Sequence, residues 1–257
     1  MFRLETQKPN GPKEVDEVVE TKSGDLKRPI LINGQPLNQS QQQQADRQLE
    51  QQARNPDLLR KSQKDQSEDE ARSQRMLKLL PDAFLYTYGE HRDNLVELKF
   101  TPNPHFNPPN REAEVFHAMQ GSLWVDSKQL RLAEISGRLM REVKFGLGLL
   151  GHLDKGGQFD VKQAEVAPGY WELTVLNVQM RGKALFFKTI NVQQYMARSD
   201  FKLLSPDLTL AQGADLLRKE TKSRSAEKSG STMRSGLPRG RSVQLDSLSW
   251  RRTGRPG

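Results

Sequence analysis

The sequence predicts a mainly β fold of the α+β class: an antiparallel meander forming an incomplete barrel or strongly curved sheet, with a polar helix pair packed on it and a disordered basic C-terminal tail. Three observations lead there. Residues 84 to 204 hold short segments of period-two alternation at intervals of about 10 residues, separated by tight turns. Residues 39 to 80 instead show helical spacing with few apolar positions. The chain has no parallel βαβ repeat.

Along the chain, residues 1 to 38 carry two strand candidates, Val15 to Thr21 and Lys27 to Ile32, separated by Ser23-Gly24-Asp25. Asn33-Gly34 closes them, and both residue types tolerate positive φ. This segment reads as N-terminal strands or a partial sheet edge. Ser40 with Gln43 three positions later makes a capping box for a helix through QQQQADRQLEQQAR, whose stripe is Ala45, Leu49 and Ala53. Asn55-Pro56 interrupts it, because a residue before proline avoids the α region. A second, charged helix then runs to Leu80, and Pro81 stops it. The glutamine run reads as a solvated helix face.

From Phe84 the period becomes two. Val96 to Thr101 alternates without a fault, the pattern of a half-buried antiparallel strand. Val115, Met119, Leu123 and Val125 share one parity up to a turn at Asp126-Ser127-Lys128, and Leu130 to Ile135 returns. Arg141 to Phe145, the glycine-spaced Gly146 to Gly157, and Gln158 to Val166 follow. Pro168-Gly169 turns the chain into Tyr170 to Met180, Arg181-Gly182-Lys183 turns it into Ala184 to Val192, and Tyr195 to Leu204 closes the series. The proline-rich connector Thr101 to Asn110 lacks too many donors for a central strand, so it reads as an ordered loop at a sheet edge or mouth, anchored by Phe106. Ala211 to Lys219 forms a short helix on Ala214, Leu216 and Leu217. The expected organisation is strands in 1 to 38, helices in 39 to 80, a β domain in 81 to 217 and a disordered tail in 218 to 257.

Charge divides along the same boundary. Of 40 basic and 32 acidic residues, eleven basic and three acidic ones lie from Arg218 to Gly257, leaving 29 of each in residues 1 to 217. The net charge of +8 therefore belongs to the tail. A nucleic-acid interface needs its basic groups on the folded surface or on an arm beside it, and here only an arm qualifies. Trp250 is the tail's single aromatic, too little for a stacking platform, so no specific nucleic-acid partner is expected. The tail fits an anionic surface.

Enzyme chemistry finds no foothold in the sequence. The absence of cysteine removes disulfides, thiolate catalysis and cysteine zinc sites. There is no P-loop, nucleophile elbow or dinucleotide fingerprint. His91, His105, His117 and His152 stand singly, without metal-ligand spacing. Glu134, Glu142, Glu165 and Glu172 lie on different strand candidates at positions that also fit solvent-facing parity. We therefore read the chain as non-enzymatic, with no cofactor and no metal. What stands out is large apolar groups on both parities, in Tyr170 to Met180 and in Leu185-Phe186-Phe187. They fit core packing or an apolar cleft that buries a ligand non-directionally. The residues expected to line such a cleft are Met119, Leu123, Val125, Phe145, Phe159, Trp171, Leu173 and Phe187.

The run Leu98 to Phe106 (LKFTPNPHF), with Gly121 to Asp126 (GSLWVD), Arg131-Leu132, Gly137-Arg138-Leu139, Val143 to Gly146 and Trp171-Glu172-Leu173, resembles the LolA/RseB-like envelope proteins related to outer-membrane lipoprotein sorting. The resemblance covers roughly Arg75 to Leu204, together with Arg28 to Leu37. It implies an unclosed barrel with helices over its concave side. It also implies a carrier or sensor in the periplasm or cell envelope whose partner is a lipid or a lipoprotein acyl chain. Family members begin with a signal peptide and further strand sequence, whereas Met1 to Pro12 has no apolar h-region. A cytoplasmic protein binding polyanions through its tail, and a structural envelope component without ligand, are the competing readings.

Overall fold

Turn residues set the first hairpins. Asn33 and Gly34 sit at φ of 51° and 76°, the paired positive values that a tight two-residue hairpin requires. They join β3 (Gly24–Ile32) to β4 (Gln35–Pro36). β3 pairs antiparallel with β2 (Lys13–Thr21), and β2 with β1 (Phe2–Gln7). β1 is a strand the sequence reading did not find, because Phe2, Leu4 and Thr6 give only a short alternation before Pro9. In the computed structural model, residues 1–146, 150–184 and 188–232 are described.

The second run of strands comprises β5 (Phe84–Arg92), β6 (Leu95–Pro102), β7 (Met119–Asp126), β8 (Arg131–Leu139), β9 (Val143–Phe145), β10 (Gly151–Leu153), β11 (Gln158–Ala167), β12 (Tyr170–Ala184) and β13 (Lys188–Ser199). The spatial order is β4-β3-β2-β1-β13-β12-β11-β8-β7-β6-β5, with β9 and β10 joined to the end of β12. Among the described residues the fold is mainly β, a curved and unclosed antiparallel sheet of 13 strands with four helices, the class the alternation predicts. The pairing of β1 with β13, Leu4 opposite Arg198 and Thr6 opposite Met196, joins the N-terminal hairpins to the end of the meander. Residues Met1–Lys219 form one compact unit.

Several boundaries differ from the expected ones. The capping box of α1 (Gln39–Arg54) is Asn38 with Gln41, not Ser40 with Gln43: each side-chain oxygen accepts the other's backbone N–H at 2.9 Å. Buried Leu37 fixes the chain immediately before this cap. Pro81 lies inside α2 (Pro56–Ala83), two residues before its end, so it removes one hydrogen bond from the last turn without terminating the helix. Val115 belongs to a 3-10 helix, Glu112–Ala118, rather than to a strand. Arg181-Gly182-Lys183 is not a turn: β12 continues through it and pairs there with both β10 and β13. A Cβ on Gly182 would collide with the His152 carbonyl, which explains why glycine sits mid-strand. Tyr195 lies within β13 rather than opening another strand. Helix α3 (Leu210–Thr232) continues past Arg218, where disorder is expected, and the rest of the tail lies outside the described residues.

Three apolar clusters hold the unit. Val19 and Leu26 pack with Leu49 of α1, Leu59 of α2, and Ala214 and Leu217 of α3. Phe2, Leu4 and Val18 form a second cluster. The largest joins Phe84, Phe100, Phe116, Met119, Leu123, Ile135, Leu139 and Val143, with Met76, Leu79 and Leu80 of α2 packed against it. Following paired residues from Leu123 through Ile135, Val161, Leu176, Met196 and Thr6 puts Phe2, Leu4 and Val18 on the same face of the sheet as Leu123. Val19 and Leu26 project to the opposite face. Helix α2 thus begins on one face of the sheet and ends on the other.

Candidate functional site

The expected lining residues are built mainly from β7, because its residues at i, i+2 and i+4 share a face. Leu123 pairs with Leu98 of β6 and Ile135 of β8, and Ile135 pairs with Val161 of β11. Met119 and Leu123 are buried in the large cluster, and Val125, Phe145 and Phe159 are partly buried against it. These five come together. Trp171 and Leu173 do not join them: both are half-buried beyond an irregularity at Lys162/Gln163, and the Trp171 indole donates to Gln129 Oε1 at 2.7 Å. Phe187 lies outside the described residues.

The apolar face is covered. Phe84 meets Phe100 at 4.6 Å and Phe116 at 5.2 Å between ring centres, and Phe106 lies 6.3 Å from Phe116. Phe106 is the anchor expected of the proline-rich loop. At the edge strand, the Tyr86 hydroxyl donates to the Leu80 carbonyl at 2.8 Å, tying the last turns of α2 to the sheet. Burial pushes the Tyr86 phenol up to about 12, so it remains a protonated donor through the physiological range. Asn103 adds two bonds, from its backbone N–H to Ala83 and from its side-chain amide to Asp82. Between these ends, residues 60 to 70 of α2 are all exposed.

The opposite face of the same strands is polar. One cross-strand row runs Lys99, Ser122, Ser136, Asp160, Asn177 and Tyr195, and a parallel row runs Gln120, Arg138, Gln158, Gln179 and Gln193. These rows form a groove of about 530 Å³, lined also by Glu97, and Asn177 is shared with an adjoining groove of about 290 Å³. Glu97 is 8% exposed, and its carboxylate accepts the Glu90 N–H at 3.1 Å. Beside the groove, Arg92 lies 4.4 Å over the Trp124 ring and 2.9 Å from Glu134, which also faces Lys162 at 3.6 Å. The sequence analysis singles out no residue of this face except Glu134; the signal present in the sequence is the accumulation of amides and hydroxyls on one parity.

The other candidate groups are dispersed. Glu142 faces His152 and Lys144, Glu165 accepts from Gly169 and Gln129, and Glu172 lies 3.6 Å from Arg198. Among the described residues no three His, Asp or Glu side chains are grouped to hold a metal, and no helix is long and apolar enough to cross a membrane. On β2, burial and then the Glu14 charge push the Asp16 carboxyl up to about 6. Glu20 is raised by burial and then by the Asp25 charge, and Asp25 is raised by burial.

No protein-family model, curated protein or solved structure matches the chain.

Proposed function

We propose that the protein is a non-catalytic binding protein of the bacterial cell envelope, holding an apolar chain such as a lipid or lipoprotein acyl group. The chain would lie on the face carrying Met119, Leu123, Val125, Phe145 and Phe159. One observation carries the reading: these five side chains share a face and one cluster with the last turns of α2, a helix whose residues 60–70 are all exposed. Access requires the last turns of α2 to lift, exchanging Met76, Leu79 and Leu80 for the ligand. At roughly 0.8 kcal/mol per methylene, a chain of about twelve carbons gains on the order of 10 kcal/mol before that displacement is subtracted. The exchange is apolar for apolar, so it is governed by shape and by the Tyr86 tie rather than by charge. The tail supports a second contact, with an anionic surface, through its eleven basic and three acidic residues.

A fluorescent polyene fatty acid titrated into the full chain tests the proposal. Saturable binding is expected, weakened roughly tenfold or more in Phe145→Glu, because a charge on an apolar face costs more than 1.4 kcal/mol. Trp171→Glu, which lies outside the cluster, leaves it unchanged. Absence of saturable binding by the folded protein removes the proposal, and so does equal binding by a folded Phe145→Glu variant.

A further inference from the structure

A second binding face follows from the polar side of the central strands. The groove there crosses β6, β7, β8, β11 and β12, each of which is paired on both sides. Their backbone donors and acceptors are committed to neighbouring strands, so the face offers no free ladder to an extended peptide. What it offers is side chains. Gln120, Ser122, Ser136 and Asn177 make no side-chain hydrogen bond among the described residues, and all four are only half-exposed. An amide presents a donor and an acceptor in one plane, and a hydroxyl presents both on one atom. That inventory matches vicinal hydroxyl and acetamido groups.

Charge narrows the ligand. The groove carries Glu97 and Asp160 against Lys99 and Arg138, two of each sign. A polyanion would meet both carboxylates and a polycation both basic groups, so the complement is a ligand of low net charge. Asn177 lies where the two grooves meet, which suits a ligand several units long. We infer that this groove binds an extended, near-neutral oligosaccharide through side-chain amides and hydroxyls. The inference is independent of the apolar-chain reading, because the two sites lie on opposite faces.

Tetra-N-acetylchitotetraose, cellotetraose and a neutral tetrapeptide, each titrated into the full chain by calorimetry and ligand-observed NMR, test it. At least one of the two sugars is expected to bind more tightly than the peptide, with the affinity changing less than about twofold between roughly 50 and 500 mM salt. Asn177→Ala and Gln158→Ala are each expected to weaken sugar binding about five- to tenfold, the loss of one or two hydrogen bonds. Both positions accept truncation without opening the core, and Gln66→Ala on the exposed stretch of α2 serves as control. Binding of neither sugar overturns the inference, as does tighter binding of the peptide or sugar affinity unchanged in both groove variants. The fatty-acid titration on the same samples reports separately on the opposite face.

Discussion

Two glycines govern how closely the central strands approach. Gly121 and Gly137 are cross-strand partners flanked in the same row by Phe100 and Phe159. A Cβ on Gly121 would lie 2.9 Å from the Phe100 ring and 2.7 Å from the Gly137 Cα, and one on Gly137 would lie 2.8 Å from the Phe159 ring. The rings lie over the glycines and bury their backbone, the pairing that lets a sheet curve sharply. Gly121→Ala is therefore expected to lower stability by roughly 1–3 kcal/mol, read as a lower urea midpoint with unchanged slope. The GSLWVD and GRL signatures were legible as strand sequence, but the reason for their glycines was not, since the clash is with a different strand.

Asp16 makes the second prediction at this scale. Its folded value of about 6 lies above its ordinary 3.8, so the native state holds the proton more tightly than the unfolded chain. The stabilisation is complete below the unfolded value and is lost as pH rises through 6. Asp16→Asn is expected to raise stability at pH 7 and to flatten the pH dependence between about 4 and 7, measured by urea melts across that range. Glu20 and Asp25 are shifted in the same direction, so part of the slope persists in the variant.

Among the elements, α2 is the one whose role depends on what it does not touch. Over residues 60–70 no side chain is buried, and the stretch relies on near-neighbour pairs such as Arg60 with Asp57 at 3.1 Å and Lys64 with Glu68 at 3.8 Å. Such pairs contribute only about 0.2–0.5 kcal/mol each, and an unpacked helix of this length is marginal in water. Amides of 60–70 are expected to exchange with deuterium faster than those of β6 to β8, with Leu59 and the last turns of α2 intermediate. Tyr86→Phe, which keeps the ring and loses the bond to Leu80, should speed fatty-acid association without changing the fold, as read by stopped-flow fluorescence. Helical spacing and the Asn55-Pro56 break revealed both helices. Their faces were less legible, because a stripe of Ala45, Leu49 and Ala53 says that something is covered but not which strands cover it.

For the whole molecule, the excess positive charge gathers at the C-terminal end of the chain. The compact unit ends at Lys219, and residues 220–257 hold nine basic and three acidic residues. A chain ending at Lys219 is expected to keep its urea midpoint, because Ala214 and Leu217 remain to pack on Leu26 and Leu49. It is expected to lose adsorption to phosphatidylserine vesicles that the full chain shows at about 50 mM salt and loses steeply by about 200 mM. Equal adsorption by both chains would assign the contact to the folded surface instead.

The sequence by itself determined the antiparallel β class, the two polar helices, the neutral body and the basic tail, because alternation, proline placement and charge are local properties. Tertiary structure alone decided that β1 closes onto β13 and that Met119, Leu123 and Phe145 meet while Trp171 and Leu173 lie elsewhere. It also decided that α2 passes from one face of the sheet to the other. Those outcomes depend on register between strands far apart in the chain, where a shift of one residue exchanges the faces. The amide-lined groove was written in the same residues, yet only the stacking of five strands gathered them into a surface.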